Sequence, residues 1–338
     1  MDKDRISIED GNGGLEMTRL LNSFLPNLNR GKNWKNFTND SATFTTDSGE
    51  QLCFTTDSFV VNPIEFPGGN IGHLAICGTI NDLVVMGATP IGLSLALIIE
   101  EGFEKEKLNT ILNSINEISK SSNIPIVTGD TKVMEKGAID KIVINTSGIG
   151  IINSNNNNNN NNNNLFEQEL NYQDKIIISG GIGEHGVALL SKRFDFETRL
   201  ISDCKPLHEE MNKIKPYIKF AKDPTRGGIS AIINEIAKDN NCKIELIEKN
   251  IPIKKEVKSA CNLLGLEAME LANEGKILCI CKPENEEIVL NILKQFNPMA
   301  TTIGEIKEKK ENGEVILKTN LGTRLLTPPS GKIVPRIC

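Results

Sequence analysis

The chain has 338 residues, with 38 lysines and arginines against 44 aspartates and glutamates, a net charge of −6 and 38% hydrophobic residues. This length suits two domains of moderate size, and the acidic balance leaves no basic footprint for nucleic acid. No apolar run is long enough for a membrane span and the amino terminus lacks the core of a signal peptide, so a cytoplasmic protein is expected.

Gly11-Asn12-Gly13-Gly14 precedes a helical pattern over residues 15–24. Residues 51–61 are rich in β-branched and aromatic side chains and predict a strand. Residues 71–87 are apolar nearly all round, the pattern of a buried helix. A continuous apolar run predicts a strand over 90–99. Leu108, Ile111, Leu112, Ile115 and Ile118 space a helix over 104–121. Strands over 124–128 and 139–152 follow. Asn153, Ser154 and the asparagine tract 155–164 then predict a disordered insertion, because polar low-complexity sequence cannot bury enough apolar area to offset its ordering entropy.

Beyond the tract, a strand over 175–179 ends in a glycine turn and a helix runs over 185–192. Helices are predicted over 209–220, 228–240, 254–264 and 286–296. Strands are predicted over 243–247 and 277–280, with paired strands near 301–318. From Asn320 the chain reads as irregular, since Pro328-Pro329-Ser330-Gly331 excludes regular helix. The pattern predicts an α+β fold of two domains, 1–152 and 165–319, each with a mixed sheet faced by helices on one side. The insertion 153–164 divides them, and a tail over 320–338 follows. Extended at roughly 3.3 Å per residue, the part of that tail after Leu326 could carry its last residue on the order of 40 Å.

That last residue is Cys338, in Pro335-Arg336-Ile337-Cys338. A thiol with an ordinary pKa of roughly 8.5 keeps a usable thiolate fraction near neutral pH. With no residue after it, nothing blocks its entry into a deep pocket. Cys53, Cys77, Cys204, Cys242 and Cys261 are scattered. Cys279 and Cys281 form a Cys-x-Cys in an apolar run and read as a reduced, buried pair on one strand face. His73, His185 and His208 show no metal-ligand spacing.

Asp57 interrupts an apolar strand, Asp82 is the sole acid of the buried helix, and Asp130 follows a strand in Val127-Thr128-Gly129-Asp130-Thr131-Lys132. Buried carboxylates need a partner. Together these suit Mg²⁺, which takes carboxylates along with substrate phosphates; separate structural hydrogen bonds are the alternative. Three glycine loops, at 11–14, at 180–186 and in Asp223-Pro224-Thr225-Arg226-Gly227-Gly228, open helices with free backbone amides suited to phosphate. None is a Walker loop or a dinucleotide fingerprint.

These residues resemble a known family. Asp82 to Pro90 matches the Asp-x4-Gly-Ala-x-Pro signature of the ATP-binding aminoimidazole ribonucleotide synthetase superfamily. Within it, the sequence is most similar to the hydrogenase maturation family HypE, through Phe66-Pro67-Gly68-Gly69-Asn70-Ile71-Gly72, Val127 to Val133, Asp223 to Gly228, Ala272-Asn273-Glu274-Gly275-Lys276 and the ending Pro335 to Cys338. The likeness covers essentially the whole chain except the asparagine insertion, and the terminal motif is its most specific part.

The resemblance implies an ATP-dependent carbamoyl dehydratase. The carbamoyltransferase HypF would place a carbamoyl group on Cys338, and dehydration to a thiocyanate would follow. The cyano group would then pass to iron held by HypC and HypD for [NiFe]-hydrogenase. It also implies a homodimer whose ATP sites form across paired amino-terminal domains. On this basis Asp57, Asp82 and Asp130 would hold Mg-ATP, and the backbone of Gly13 and Gly14 would approach the phosphates. Lys132 would stabilise the transferring phosphoryl group or steer the carbamoyl oxygen. Glu274 is the candidate base, its alternative being a turn acid paired with Lys276. Asp223 and Arg226 serve either the fold or phosphate. His73 either touches phosphate or is a buried hydrogen-bonded histidine, and His185 reads as structural. A selenophosphate-synthetase-like kinase would want a reactive cysteine near the first glycine loop, which has none. A scaffold without catalysis could have lost the acids, and all three are present.

Overall fold

The computed structural model describes residues 5–152, 165 and 168–330. The asparagine tract and residues 331–338, Cys338 among them, lie outside the described residues, as do the expectations that fall on them.

The first half runs α1 (Leu15–Phe24), β1 (Trp34–Lys35), β2 (Ala42–Thr45), β3 (Gln51–Phe59), the short pair β4 (Glu65–Phe66) and β5 (Gly69–Asn70), α2 (Ile71–Val85), β6 (Thr89–Glu100), α3 (Lys105–Ser122), β7 (Ile126–Met134) and β8 (Ile142–Ile152). Six strands form one sheet ordered β1-β2-β3-β8-β6-β7, antiparallel except for β6 with β7. Asn70 starts α2 by accepting hydrogen bonds from the amides of Gly72 (2.9 Å) and His73 (3.1 Å). Gly87, at φ +76°, lets the chain turn away after it. The helix is apolar all round because it is covered all round. The sheet lies on one side, α3 on another, and the second half of the chain closes the rest.

The second half runs β9 (Lys175–Ile178), α4 (Glu184–Phe194), α5 (His208–Ile214), β10 (Ile218–Lys222), α6 (Gly228–Asp239), β11 (Cys242–Ile247), α7 (Lys255–Leu264), β12 (Leu278–Cys281), α8 (Glu286–Phe296), β13 (Thr301–Lys309), β14 (Glu314–Thr319) and β15 (Gly322–Leu325). Its seven-stranded sheet is ordered β10-β12-β9-β13-β11-β14-β15. This sheet carries helices on both faces rather than one. Ile176, Ile178, Leu278 and Ile280 pack with Ile229, Ile232 and Ile233 of α6. Ile177, Cys279 and Cys281 join Val289 and Leu293 of α8 in a core continuous with that around α2. Cys279 and Cys281 are free and buried, as expected of a reduced pair on one strand face.

Three local expectations are corrected. The helix predicted over 209–220 stops at Ile214, and Ile218–Lys222 is a wholly buried strand. Its two lysines hid that burial from sequence inspection; Lys219 is neutralised by Asp174 at 2.7 Å. β13 and β14 share a sheet but do not pair, because β11 lies between them, antiparallel to one and parallel to the other. The tail is not irregular from Asn320, because Gly322–Leu325 adds an edge strand to β14. All four of its residues are exposed, so no apolar alternation betrayed it. After it Leu326 and Pro329 are buried, and the Pro329 carbonyl accepts from the amide of Leu15 at 3.4 Å.

Among the described residues, no helix covers one face of the first sheet. Phe54, Ile91 and Ile149 are exposed there, with Trp34 packed against Phe44 and Phe54. Strand β7 is the unpaired edge beside it, exposing Val127 and Val133.

Candidate active site

Antiparallel register puts Asp57 opposite Thr146, on the sheet face that packs against α2. Gly78 of α2 permits the close approach, since a Cβ there would lie 2.9 Å from the Phe59 ring. One turn further along α2 stands Asp82. Its Oδ2 accepts from the Thr55 hydroxyl at 2.6 Å, and its carbonyl accepts from Ser41 at 2.9 Å. From the second half, β10 ends at Lys222 and delivers Asp223, Thr225 and Arg226, while Glu274 arrives just before β12. Gly13 closes the group from the amino-terminal loop. It takes φ +72°, and a Cβ on it would meet the Cβ of Arg226 at 2.5 Å, so only glycine fits.

These residues, with Met17, Asp40, Ile232 and Glu235, line a cavity of about 260 Å³. Two larger cavities elsewhere hold no comparable set of buried acids. Six carboxyls face two cations, Lys222 and Arg226. Burial, then repulsion from Asp57, Asp223 and Asp40, pushes the Asp82 carboxyl well above the usual carboxylate range. Burial and the neighbouring acids do the same to Asp223 and Glu274. Burial also raises Asp57, with Arg226 opposing it. Burial would lower the Lys222 ammonium, but Asp40 at 3.6 Å and Glu235 at 3.1 Å hold it above the ordinary lysine value. Buried oxygens of Asp40, Asp223 and Glu274 have no hydrogen-bond partner among the described residues. A set of crowded, unsatisfied carboxyl oxygens fits a hard divalent cation such as Mg²⁺. A triphosphate entering this surplus of negative charge needs such a cation with it.

The geometry sorts the sequence expectations. Asp57, Asp82, Asp223, Arg226, Glu274 and Gly13 meet in the cavity, and Gly14 follows Gly13 as the residue before α1. Asp130 and Lys132 do not. They lie within β7, not after a strand, and pair with each other at 3.0 Å, with side chains 63% and 67% exposed. Asp130 is in register with Ala96, which pairs Asn145, which pairs Ser58. That row faces away from α2, so within one chain Asp57 and Asp130 are on opposite sheet faces. Of the expected trio, Asp57 and Asp82 meet within a single chain and Asp130 stands apart from them. Glu274 is no partner of Lys276, which binds Asp203 (2.7 Å) and Glu184 (3.2 Å) instead. The Glu274 amide is held by Asp203 at 3.2 Å and its carbonyl by Asn81 at 3.2 Å.

The loop at 180–186 is absent from the cavity lining. Gly183 there donates to Asn273 at 2.7 Å, a packing role. His185 is fully buried against Ser202 (2.8 Å) and Phe66, as a structural histidine should be. His73 is likewise outside this cavity. Sequence reasoning missed Asp40, Lys222 and Glu235. The signal for Lys222 was its position directly before Asp223. Asp40 lies in a polar stretch that offered none.

A stability test follows from the raised carboxyl pKa values. An acid whose folded pKa exceeds its unfolded value of about 4 stabilises the fold below that value, and this stability is lost as pH rises through the folded pKa. Without nucleotide or Mg²⁺, Asp82→Asn is therefore expected to be more stable than the parent by about 0.5–2 kcal/mol at pH 8. The margin should shrink towards pH 4. Thermal midpoints across that range check it, and a margin independent of pH would remove Asp82 from the self-repelling cluster.

The model of the AIR synthase related protein N-terminal domain matches residues 38–152, and that of the corresponding C-terminal domain matches residues 173–316. Carbamoyl dehydratase HypE of Escherichia coli (strain K12) is 39% identical over 346 residues, which cover 98% of this chain and 99% of that protein. A crystal structure of a HypE–HypF complex superposes with a TM-score of 0.81 at 38% identity, covering 92% of this chain and 99% of that one. A crystal structure of hydrogenase maturation protein HypE in complex with ATP gives a TM-score of 0.79 at 33% identity, covering 99% of this chain and all of that one. Among the described residues no helix is long and apolar enough to cross a membrane.

Proposed function

The chain belongs to the HypE family of carbamoyl dehydratases, and from that membership we propose that it uses ATP to convert a carbamoyl group on Cys338 to a thiocyanate. The product supplies cyanide for the iron of [NiFe]-hydrogenase. The observation that carries the reading is the convergence of Asp57, Asp82, Asp223, Arg226 and Glu274 with Gly13 in one cavity. The last described residues of the tail lie against the same loops. Pro329 is bonded to Leu15, and its ring lies 3.4 Å from where a Cβ on Gly227 would stand.

An amide oxygen leaves poorly, so it must first take the γ-phosphoryl group of ATP. Phosphate then leaves with that oxygen, the amide nitrogen gives up two protons, and sulfur ends bonded to a cyano carbon. Asp57 and Asp82, with Asp223 beside them, would hold Mg²⁺, which neutralises charge on the transferring phosphoryl oxygens when bound. The amides near Gly13 and Gly14 receive the phosphates, and Arg226 offsets the remaining charge. Glu274, its backbone fixed at both ends and its pKa raised by burial and the neighbouring acids, takes a proton from the carboxamide nitrogen.

The chain would act as a homodimer paired through the uncovered face and the β7 edge of the first sheet. This pairing would give Asp130 and Lys132 a role at the site of a second copy, which their exposure in a single chain otherwise leaves unexplained. HypF would load Cys338, and HypC–HypD would receive the cyano group. Mass spectrometry of the carboxyl-terminal peptide tests the chemistry. With HypF, carbamoyl phosphate and ATP, Cys338 should gain one carbamoyl group, which then loses one water. An adduct on another cysteine, or normal turnover after deletion of Cys338, would sink the proposal.

A further inference from the structure

Away from the ATP cavity, His73 and Cys77 stand one turn apart on α2, on the same helix face. Cys204 reaches them from the segment between α4 and α5. The ligand atoms of these three residues all lie within 4.8 Å of one another, and no other such group of three occurs among the described residues. The sequence showed no metal-ligand spacing at His73 and left Cys77 and Cys204 as scattered cysteines; it is the fold that brings the three together.

Cys204 is fixed in place. Its amide donates to the Ser202 hydroxyl at 3.1 Å, and the Ser202 amide donates to the Pro67 carbonyl at 2.8 Å. Asn81 of α2 binds the same segment, donating to the Lys205 carbonyl at 3.1 Å and accepting from the Leu207 amide at 2.9 Å. Cys77 is fully buried and Cys204 nearly so, while His73 is part-exposed. The His73 Nε2 atom is buried, and the ring interacts with the Cys77 thiol and the Cys204 backbone while the Cys77 thiol interacts with that of Cys204, so the three donors already face one another.

We propose that His73, Cys77 and Cys204 bind one zinc-class transition-metal ion, with water as a fourth ligand. One imidazole and two thiolates form a borderline-soft donor set, unlike the all-oxygen set of the ATP cavity. Metal–ligand bonds of roughly 2.0–2.3 Å arranged tetrahedrally place ligand atoms about 3.5–3.8 Å apart. The three groups need close by only on the order of 1 Å. The part-exposed edge of His73 provides entry and room for water. The ion would fasten the 195–207 segment to α2. Asp203 of that segment holds Glu274, and α2 carries Asp82, so the clamp sets the two halves of the ATP cavity against each other.

The test uses the full chain and the metal alone. Elemental analysis after purification without chelator should find about one zinc per chain. Cobalt(II) in its place should give thiolate-to-metal charge-transfer bands and the visible bands of a tetrahedral ion. Cys204→Ser and His73→Gln should each weaken zinc binding by more than about 100-fold, beyond the cost of losing a mere orienting partner. Cys338→Ser should leave binding unchanged. The parent chain alone decides if a variant misfolds: no stoichiometric zinc and no cobalt–thiolate band overturns the proposal. A Cys77–Cys204 disulfide in the parent, or binding lost with Cys338 rather than Cys204, overturns it equally.

Discussion

Asp82→Asn is expected to slow ATP-dependent dehydration by roughly 100–1,000-fold while leaving Cys338 open to carbamoylation by HypF. The asparagine keeps the shape, so the Thr55 and Ser41 contacts that position the residue survive. What disappears is the charge that offsets a divalent cation at the point where Asp57, Asp82 and Asp223 converge. The split between the two half-reactions is the informative part. Carbamoylation needs only the thiol, whereas dehydration needs the phosphoryl group held in line. Single-turnover mass spectrometry of the Cys338 peptide reads both. An unchanged dehydration rate would return Asp82 to a purely structural role.

Glu274→Gln should cost on the order of 100–10,000-fold in the same step, the usual worth of a positioned acid–base group. The amide retains the volume of the carboxyl, and the backbone bonds to Asp203 and Asn81 do not depend on the side chain. ATP affinity should therefore change little, and a large loss of affinity would mark Glu274 as part of the nucleotide site instead. The pH profile gives a second reading. A base must be ionised to act, so dehydration in the parent should rise with pH through the raised pKa of Glu274 and then level. The residual activity of Glu274→Gln should lack that rise. A rise of the same form in both proteins would assign the base elsewhere.

What the sequence disclosed and what it withheld divide along a physical line. Helix α2 was legible because an element covered on every side must be apolar on every side, and one acid within it stands out. The glycines at 13 and 227 were legible as turns. Strand β10 was not, because five residues carrying two lysines show neither period. The placement of Asp130 was withheld for another reason. Acids were recognised by type and neighbourhood, but whether a strand residue faces α2 or away from it depends on register, and the register of β7 is fixed through β6 and β8. Cys204 illustrates the same limit, being brought to His73 and Cys77 by packing over more than a hundred positions. Local chemistry is written locally; convergence is not.

The anchoring of Pro329 at the glycine loops has a kinetic consequence. Eight residues follow Ser330, the last of them Cys338, a contour of at most about 29 Å. One thiol confined within that radius of the cavity rim corresponds to an effective molarity on the order of 10 mM. The dehydration site therefore needs almost no intrinsic affinity for its one-carbon cargo to be saturated by it. Once the homodimer is assembled, turnover of the loaded chain should be first order and independent of protein concentration, and small free thiocarbamates should compete poorly. Weak binding is also what allows the modified cysteine to leave promptly for its acceptor.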